Sequence, residues 1–118
     1  MPTPTLAAIN LECPDPAPLA AFWARLLDGT VVLETPDYCA VSAAGLVLGA
    51  ARVEGYRPPT WPSNDRSQQV HLDLRVDDLD GAERDALALG ATKEDHQPSP
   101  ERSRVLRDPA GHPFCLRA

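Results

Sequence analysis

His71, Asp73 and Arg75 occupy alternate positions in Val70-His71-Leu72-Asp73-Leu74-Arg75-Val76. An imidazole with a carboxylate near it can act as a general base close to neutral pH, which makes His71 the candidate catalytic residue. Cys115 adds a thiol, and a thiol beside an imidazole base is the pairing that nucleophilic catalysis uses. Asn10 and Glu12 carry two more polar groups at the same alternate spacing in Ala8-Ile9-Asn10-Leu11-Glu12-Cys13. Arg52, Arg57 and Trp61 suit the mouth of a site for an anionic or aromatic ligand. A plainer reading stands beside each. His71 can be a histidine hydrogen-bonded to Asp73, and Asp73, Asn10 and Glu12 can be a polar network on a half-buried sheet. Cys115 can be a small buried hydrophobe, and the arginines can form surface ion pairs. The tryptophan can pack on the body of the protein. His112 follows a turn and is predicted to be exposed, and His96 lies in a polar loop.

These groups need strands to position them. Val70, Leu72, Leu74 and Val76 point one way and His71, Asp73 and Arg75 the other, so residues 70–76 form a strand with one face on a core. Ile9, Leu11 and Cys13 alternate with Ala8, Asn10 and Glu12, which predicts an earlier strand over 6–13. An acidic helix start follows each strand, at Asp15-Pro16 and at Asp77-Asp78. Aligning Asp15 with Asp78 puts Ala8 on His71, Asn10 on Asp73 and Glu12 on Arg75. Leu-Asp-Gly-Thr at 27–30 lies close to Leu-Gly-Ala-Thr at 89–92. One supersecondary unit is therefore written twice, and two copies make a pseudosymmetric domain rather than a solenoid.

The remaining elements follow in order. The first helix runs from the Asp15 N-cap to about Leu27 and buries Leu19, Phe22, Trp23, Leu26 and Leu27, with Gly29 as its left-handed cap. Strands over 30–35, 38–43 and 46–53 turn at Pro36-Asp37 and Ala44-Gly45. Residues 55–69 are a polar, proline-rich link. The second helix, 78–89, faces inward through Leu79, Ala82, Ala86 and Leu89, and Gly90 caps it. A weak strand over 92–95 and strands over 103–107 and 112–117 complete the chain, the last two joined by Asp108-Pro109-Ala110-Gly111, a type I turn. The order is βαβββ, link, βαβββ. A ferredoxin-like unit has two strands between its helices, and this chain has four.

The bulk numbers limit the partners. The chain has 118 residues, 43% apolar, enough for one domain with a core. The formal charge is −6 and no run of Lys or Arg exists, which argues against nucleic acid and anionic membranes. Met-Pro-Thr-Pro-Thr carries neither a basic region nor a long apolar stretch, so no signal peptide is expected. Three widely spaced cysteines, Cys13, Cys39 and Cys115, predict free thiols and a cytoplasmic setting.

Five segments in this order resemble the vicinal oxygen chelate superfamily, the glyoxalase/bleomycin-resistance/dioxygenase fold, and its glyoxalase-like branch most of all. They are Cys13-Pro14-Asp15-Pro16, Ala21-Phe22-Trp23, Tyr56-Arg57-Pro58-Pro59-Thr60-Trp61-Pro62, residues 70–79, and Asp108-Pro109-Ala110-Gly111-His112-Pro113-Phe114-Cys115-Leu116. The resemblance implies an α+β fold in which two βαβββ modules curl into incomplete barrels around a cleft. One domain would span 1–118, with module one about 5–54, a link about 55–69 and module two about 70–118. Metal-using members hold one divalent ion on His, Gln or Glu from the first and fourth strands of each module. At those positions this chain offers Ala8, then Ala51 or Gly49, then His71 and Cys115. A catalytic hard-metal site wants about three protein ligands, largely oxygen or imidazole. The expectation is therefore a cleft that binds a small organic molecule through His71, Asp73, Asn10, Glu12, Cys115 and Trp61, with no metal ion. One divalent ion on His71, Cys115 and Glu12, with Asp73 beside them, is the alternative. The functional alternative is a lyase, isomerase or dioxygenase-type enzyme that uses His71 with a metal or as a base. A homodimer is expected, because two short modules leave sheet edges to cover.

Overall fold

The first strand, β1 (Ile9–Cys13), alternates as its sequence does: Leu11 and Cys13 are buried, Asn10 and Glu12 exposed. The structure is a computed structural model and describes residues 2–118. Helix α1 (Pro16–Leu26) follows β1, then β2 (Thr30–Glu34), β3 (Tyr38–Ala43) and β4 (Leu46–Arg52). After the link come β5 (Leu72–Arg75), α2 (Leu79–Leu89), β6 (Thr92–Lys93), β7 (Ser103–Arg107) and β8 (Pro113–Arg117). This is the predicted order, βαβββ twice, and the fold is α+β. The chain divides after Tyr56 into two compact units.

In the first unit the sheet order is β1-β4-β3-β2, with β1 parallel to β4 and the other pairs antiparallel. Helix α1 lies on β3 and β4 and buries Leu19, Ala20, Phe22, Trp23 and Ala24. Phe22 and Trp23 meet edge to face with ring centroids 5.3 Å apart. Cys39, Val41, Leu48 and Ala50 complete this core. Asp15 takes the N-cap position but makes no side-chain cap bond. Asp78, the N-cap of the second helix, likewise makes no side-chain cap bond.

The cap at the other end of α1 differs from the sequence expectation. Asp28, not Gly29, adopts the left-handed backbone, at φ 52°. Gly29 is required by space instead: a Cβ there would sit 2.6 Å from the Ser42 carbonyl oxygen. The Ala44-Gly45 turn has positive φ at both residues, 49° and 80°, the backbone of a two-residue type I′ hairpin.

The second unit repeats the topology as β5-β8-β7-β6, with β5 parallel to β8. Its core is Val105, Leu106, Phe114 and Leu116 with Ala86 of α2 and Ala91. Of the predicted inner face of α2, only Ala86 is fully buried; Leu79, Ala82 and Leu89 are half-buried. Ion pairs tie this helix to β7: Arg104 meets Asp80 at 2.9 Å and Glu83 at 3.2 Å. Gly90 caps α2 at φ 119°, as predicted. The strand predicted over 70–76 is paired only from Leu72, opposite Phe114. The residue before Phe114 is Pro113, which has no N–H to extend the ladder.

Asp108 is 3% exposed, and its carboxylate accepts from the backbone N–H of Ala110 and of His112. Those bonds hold the 108–111 turn, and they draw His112 into a half-buried position rather than the exposed one predicted. From Arg57 onward the link belongs to the second unit. Arg107 donates to the Pro59 and Gly111 carbonyls at 2.9 and 2.8 Å, and its Nε pairs with Glu94. Arg66 donates to the Pro58 carbonyl at 2.6 Å. Trp61 is half-buried, its indole 5.5 Å from the His96 ring.

Candidate functional site

Strand β5 and the parallel strand β8 position the principal cluster. The register sets Asp73 directly opposite Cys115. His71 lies two residues before Asp73, so period-two geometry sends both side chains to one face. His71, Asp73 and Cys115 each present a ligating atom within 4.8 Å of the other two. His71 and Asp73 are exposed and Cys115 is partly buried.

The imidazole is held at both nitrogens. Nε2 lies 2.9 Å from Asp73 Oδ1, and Nδ1 lies 3.2 Å from Gln68 Oε1. An ionised carboxylate only accepts, so Nε2 carries a proton toward Asp73. The other carboxylate oxygen, Oδ2, faces Arg117 Nη1 at 3.5 Å. Burial first, and the Asp73 carboxylate second, push the Cys115 thiol above its ordinary range. Both causes disfavour the thiolate, so Cys115 rests as a neutral thiol at neutral pH.

The first unit has a counterpart of different character. Ala8 stands immediately before β1, as His71 stands before β5, and carries no ligating group. Asn10 faces Gly49 across β1 and β4, as Asp73 faces Cys115. The register therefore selects Gly49, not Ala51, as the match to Cys115. The Tyr38 hydroxyl donates to Asn10 Oδ1 at 2.7 Å. A Cβ at Gly49 would collide with that hydroxyl and with Asn10 Oδ1. A phenol thus fills the space where the second unit has a thiol.

Of the sequence-predicted site residues, His71, Asp73 and Cys115 come together in the second unit. Asn10 joins Tyr38 in the first unit, and Glu12 is exposed on β1 of that unit. Trp61 lies beside His96, itself exposed, within the second unit. Phe22 and Trp23 are core. Gln68, Arg117 and Tyr38 were missed. Alternation beyond Cys115 points to Arg117, but Gln68 lies in an aperiodic loop and Tyr38 is brought in by strand register alone.

Paired βαβββ units with polar groups on the first and last strands define the glyoxalase/bleomycin-resistance/dioxygenase class, the vicinal oxygen chelate superfamily. A family model for the glyoxalase-like domain matches residues 8–117, and the chain belongs to that family. Solved structures agree in fold. A FosX fosfomycin resistance protein from Listeria monocytogenes, a mutant complexed with Mn(II) and 1S,2S-dihydroxypropylphosphonic acid, superposes with TM-score 0.72 at 19% identity, covering 97% of this chain and 89% of that one. A glyoxalase-related enzyme from Fulvimarina pelagi gives 0.69 at 19%, covering 96% and 86%. A glyoxalase/bleomycin resistance protein/dioxygenase family enzyme from Burkholderia phytofirmans gives 0.70 at 15%, covering 93% and 94%. No curated protein sequence matches the chain.

The donor set does not fit a hard divalent ion of the manganese class. Such ions want oxygen ligands, with imidazole tolerated. The first unit offers Ala8 and Gly49 at the matching positions, and the second offers a thiol opposite Asp73. Among the described residues, no helix is long and apolar enough to cross a membrane.

Proposed function

We propose that this glyoxalase-like protein binds a small organic molecule against the β5–β8 face, without the family's full metal-ligand set. One observation carries the reading. The first unit has Ala8 and a glycine–phenol pair where ligands would stand, while His71, Asp73 and Cys115 remain together on an accessible face. Binding without metal needs only apolar walls and a few placed polar groups. The His71–Asp73 pair and Arg117 supply donors and an acceptor, and Trp61 of the same unit is a further candidate contact. The test is a thermal-shift screen of metal-stripped protein against aromatic antibiotics and small organic anions. A binder raises the melting temperature. The expected result is a hit whose shift is lost in His71→Ala and Asp73→Asn; a screen with no hit, or hits indifferent to both changes, overturns it.

The 2.9 Å contact between His71 and Asp73 favours a second reading, a His71-dependent lyase or isomerase. A carboxylate that orients an imidazole is the arrangement a general base uses. Turnover abolished in His71→Gln would separate catalysis from binding.

The proposal includes a cytoplasmic homodimer. β2 is an edge strand with Val31, Val32 and Leu33 at 36%, 59% and 49% exposure, an edge that soluble proteins cover. The thiols support a reducing compartment, since among the described residues no cysteine forms a disulfide. Sedimentation velocity tests the dimer.

A further inference from the structure

The cluster that fails as a hard-metal site has the composition of a different one. We propose that His71, Asp73 and Cys115 form a three-ligand site for a thiophilic, zinc-class divalent ion, built within the second unit alone. One imidazole, one carboxylate and one thiolate are a ligand set for zinc or cobalt rather than manganese, magnesium or calcium. Three protein ligands leave a fourth position open to water or a bound molecule.

The geometry supports this in three ways. First, the ligand atoms already lie within 4.8 Å of one another. Zinc bonds of roughly 2.0–2.3 Å place tetrahedral ligands about 3.3–3.8 Å apart, so only small side-chain rotations are needed. Second, Asp73 and Cys115 stand opposite each other on two hydrogen-bonded strands in fixed register, and His71 immediately precedes the first of them with its ring already bonded to Asp73. Third, the surrounding contacts are those that orient metal ligands. Gln68 Oε1 lies 3.2 Å from His71 Nδ1. When an ion takes Nε2, the ring proton resides on Nδ1 and is donated to that oxygen. An amide or carboxylate on the far ring nitrogen is the recurrent support of a metal-bound histidine. Arg117 holds Asp73 Oδ2 and leaves Oδ1 toward the imidazole.

Binding balances simply. The ion takes the place of the proton between His71 Nε2 and Asp73, that proton passing by exchange with solvent to Nδ1; the Cys115 thiol gives up its proton to solvent, and nitrogen–, oxygen– and sulfur–metal bonds form. No oxidation or reduction is involved. The site asks nothing of the small-molecule reading, and either can fail alone.

The test is a Co2+ titration of the chelator-stripped full chain with no organic ligand present, followed by absorption. The expected result is a thiolate-to-cobalt charge-transfer band that saturates at one ion per chain and is displaced by Zn2+ but not by excess Mn2+. Cys115→Ser abolishes the band. His71→Ala and Asp73→Asn weaken cobalt binding at least about tenfold. Gln68→Ala, which leaves every ligand in place, weakens it less. Circular dichroism confirms that each variant is folded, and Cys115→Ala replaces Cys115→Ser if the latter is not. No band in the wild-type chain overturns the proposal. So does a band that survives in both Cys115 variants, which would assign it to Cys13 or Cys39, or one indifferent to His71.

Discussion

The two units share a topology and differ in what they spend it on. In the first, α1 buries Leu19, Phe22 and Trp23 against its sheet, and the face that could carry chemistry is closed by Tyr38 over Gly49. In the second, α2 fully buries only Ala86 and is tied to β7 by ion pairs, while the corresponding face keeps an imidazole, a carboxylate and a thiol. Once duplicated, a fold can keep its packing in one copy and its reactive groups in the other. Each copy needs only strand register to aim side chains at a common point.

Four measurements sharpen or break that contrast. Trp23→Ala should cost about 3–5 kcal/mol in urea unfolding, because it empties a closed core. Leu89→Ala, at the matching helix of the second unit, should cost about 1–2 kcal/mol, since its side chain is only half-buried. Equal losses would erase the distinction in packing. Gly49→Ala should destabilise by about 1–3 kcal/mol through overpacking. In the Gly49→Ala/Tyr38→Ala double variant the loss should fall well short of the sum, because the phenol is gone and Asn10, no longer held by it, can turn its amide away from the methyl. Additive losses would mean that the phenol does not occupy that space.

The third concerns Cys115. A thiol pushed above its ordinary range reacts slowly. Alkylation of Cys115 in metal-stripped protein should lag behind a free cysteine at pH 8 and accelerate only at higher pH. Folded-state stability linked to this thiol is fully present below the unfolded-state pKa and declines as pH rises through the folded one. Asp73→Asn should bring the alkylation profile down only part of the way, because burial is the larger cause. A profile that reaches the free-cysteine value in this variant would reverse that ranking. The smallest effect is expected from Arg117→Ala. Its 3.5 Å pair with Asp73 is about half exposed on both sides, at 53% and 45%, and should contribute about 0–1 kcal/mol. A larger loss in a double-mutant cycle would make Arg117 a structural tie rather than an orienting group.

Much of this was written in the chain. Alternation in residues 8–13 and 72–76 determined which side chains turn away from the core, whereas Val70, expected on the core face, is 58% exposed ahead of the paired strand; the repeated acidic helix starts declared the duplication. Both signals are local, since they depend on strand and helix period alone. The Asp108 turn and the Gly90 cap were legible for the same reason: each is set by backbone preferences within four residues. Asp15 takes the N-cap position that its sequence predicts; the Gly29 cap was misjudged because Asp28 adopts the left-handed backbone and the carbonyl of Ser42 sets the demand for glycine. Only the tertiary structure decided that Asp73 stands opposite Cys115, that Gln68 reaches His71, and that Tyr38 fills the space over Gly49. Those are facts of register between strands far apart in sequence, and periodicity fixes a side chain's face but not its neighbour.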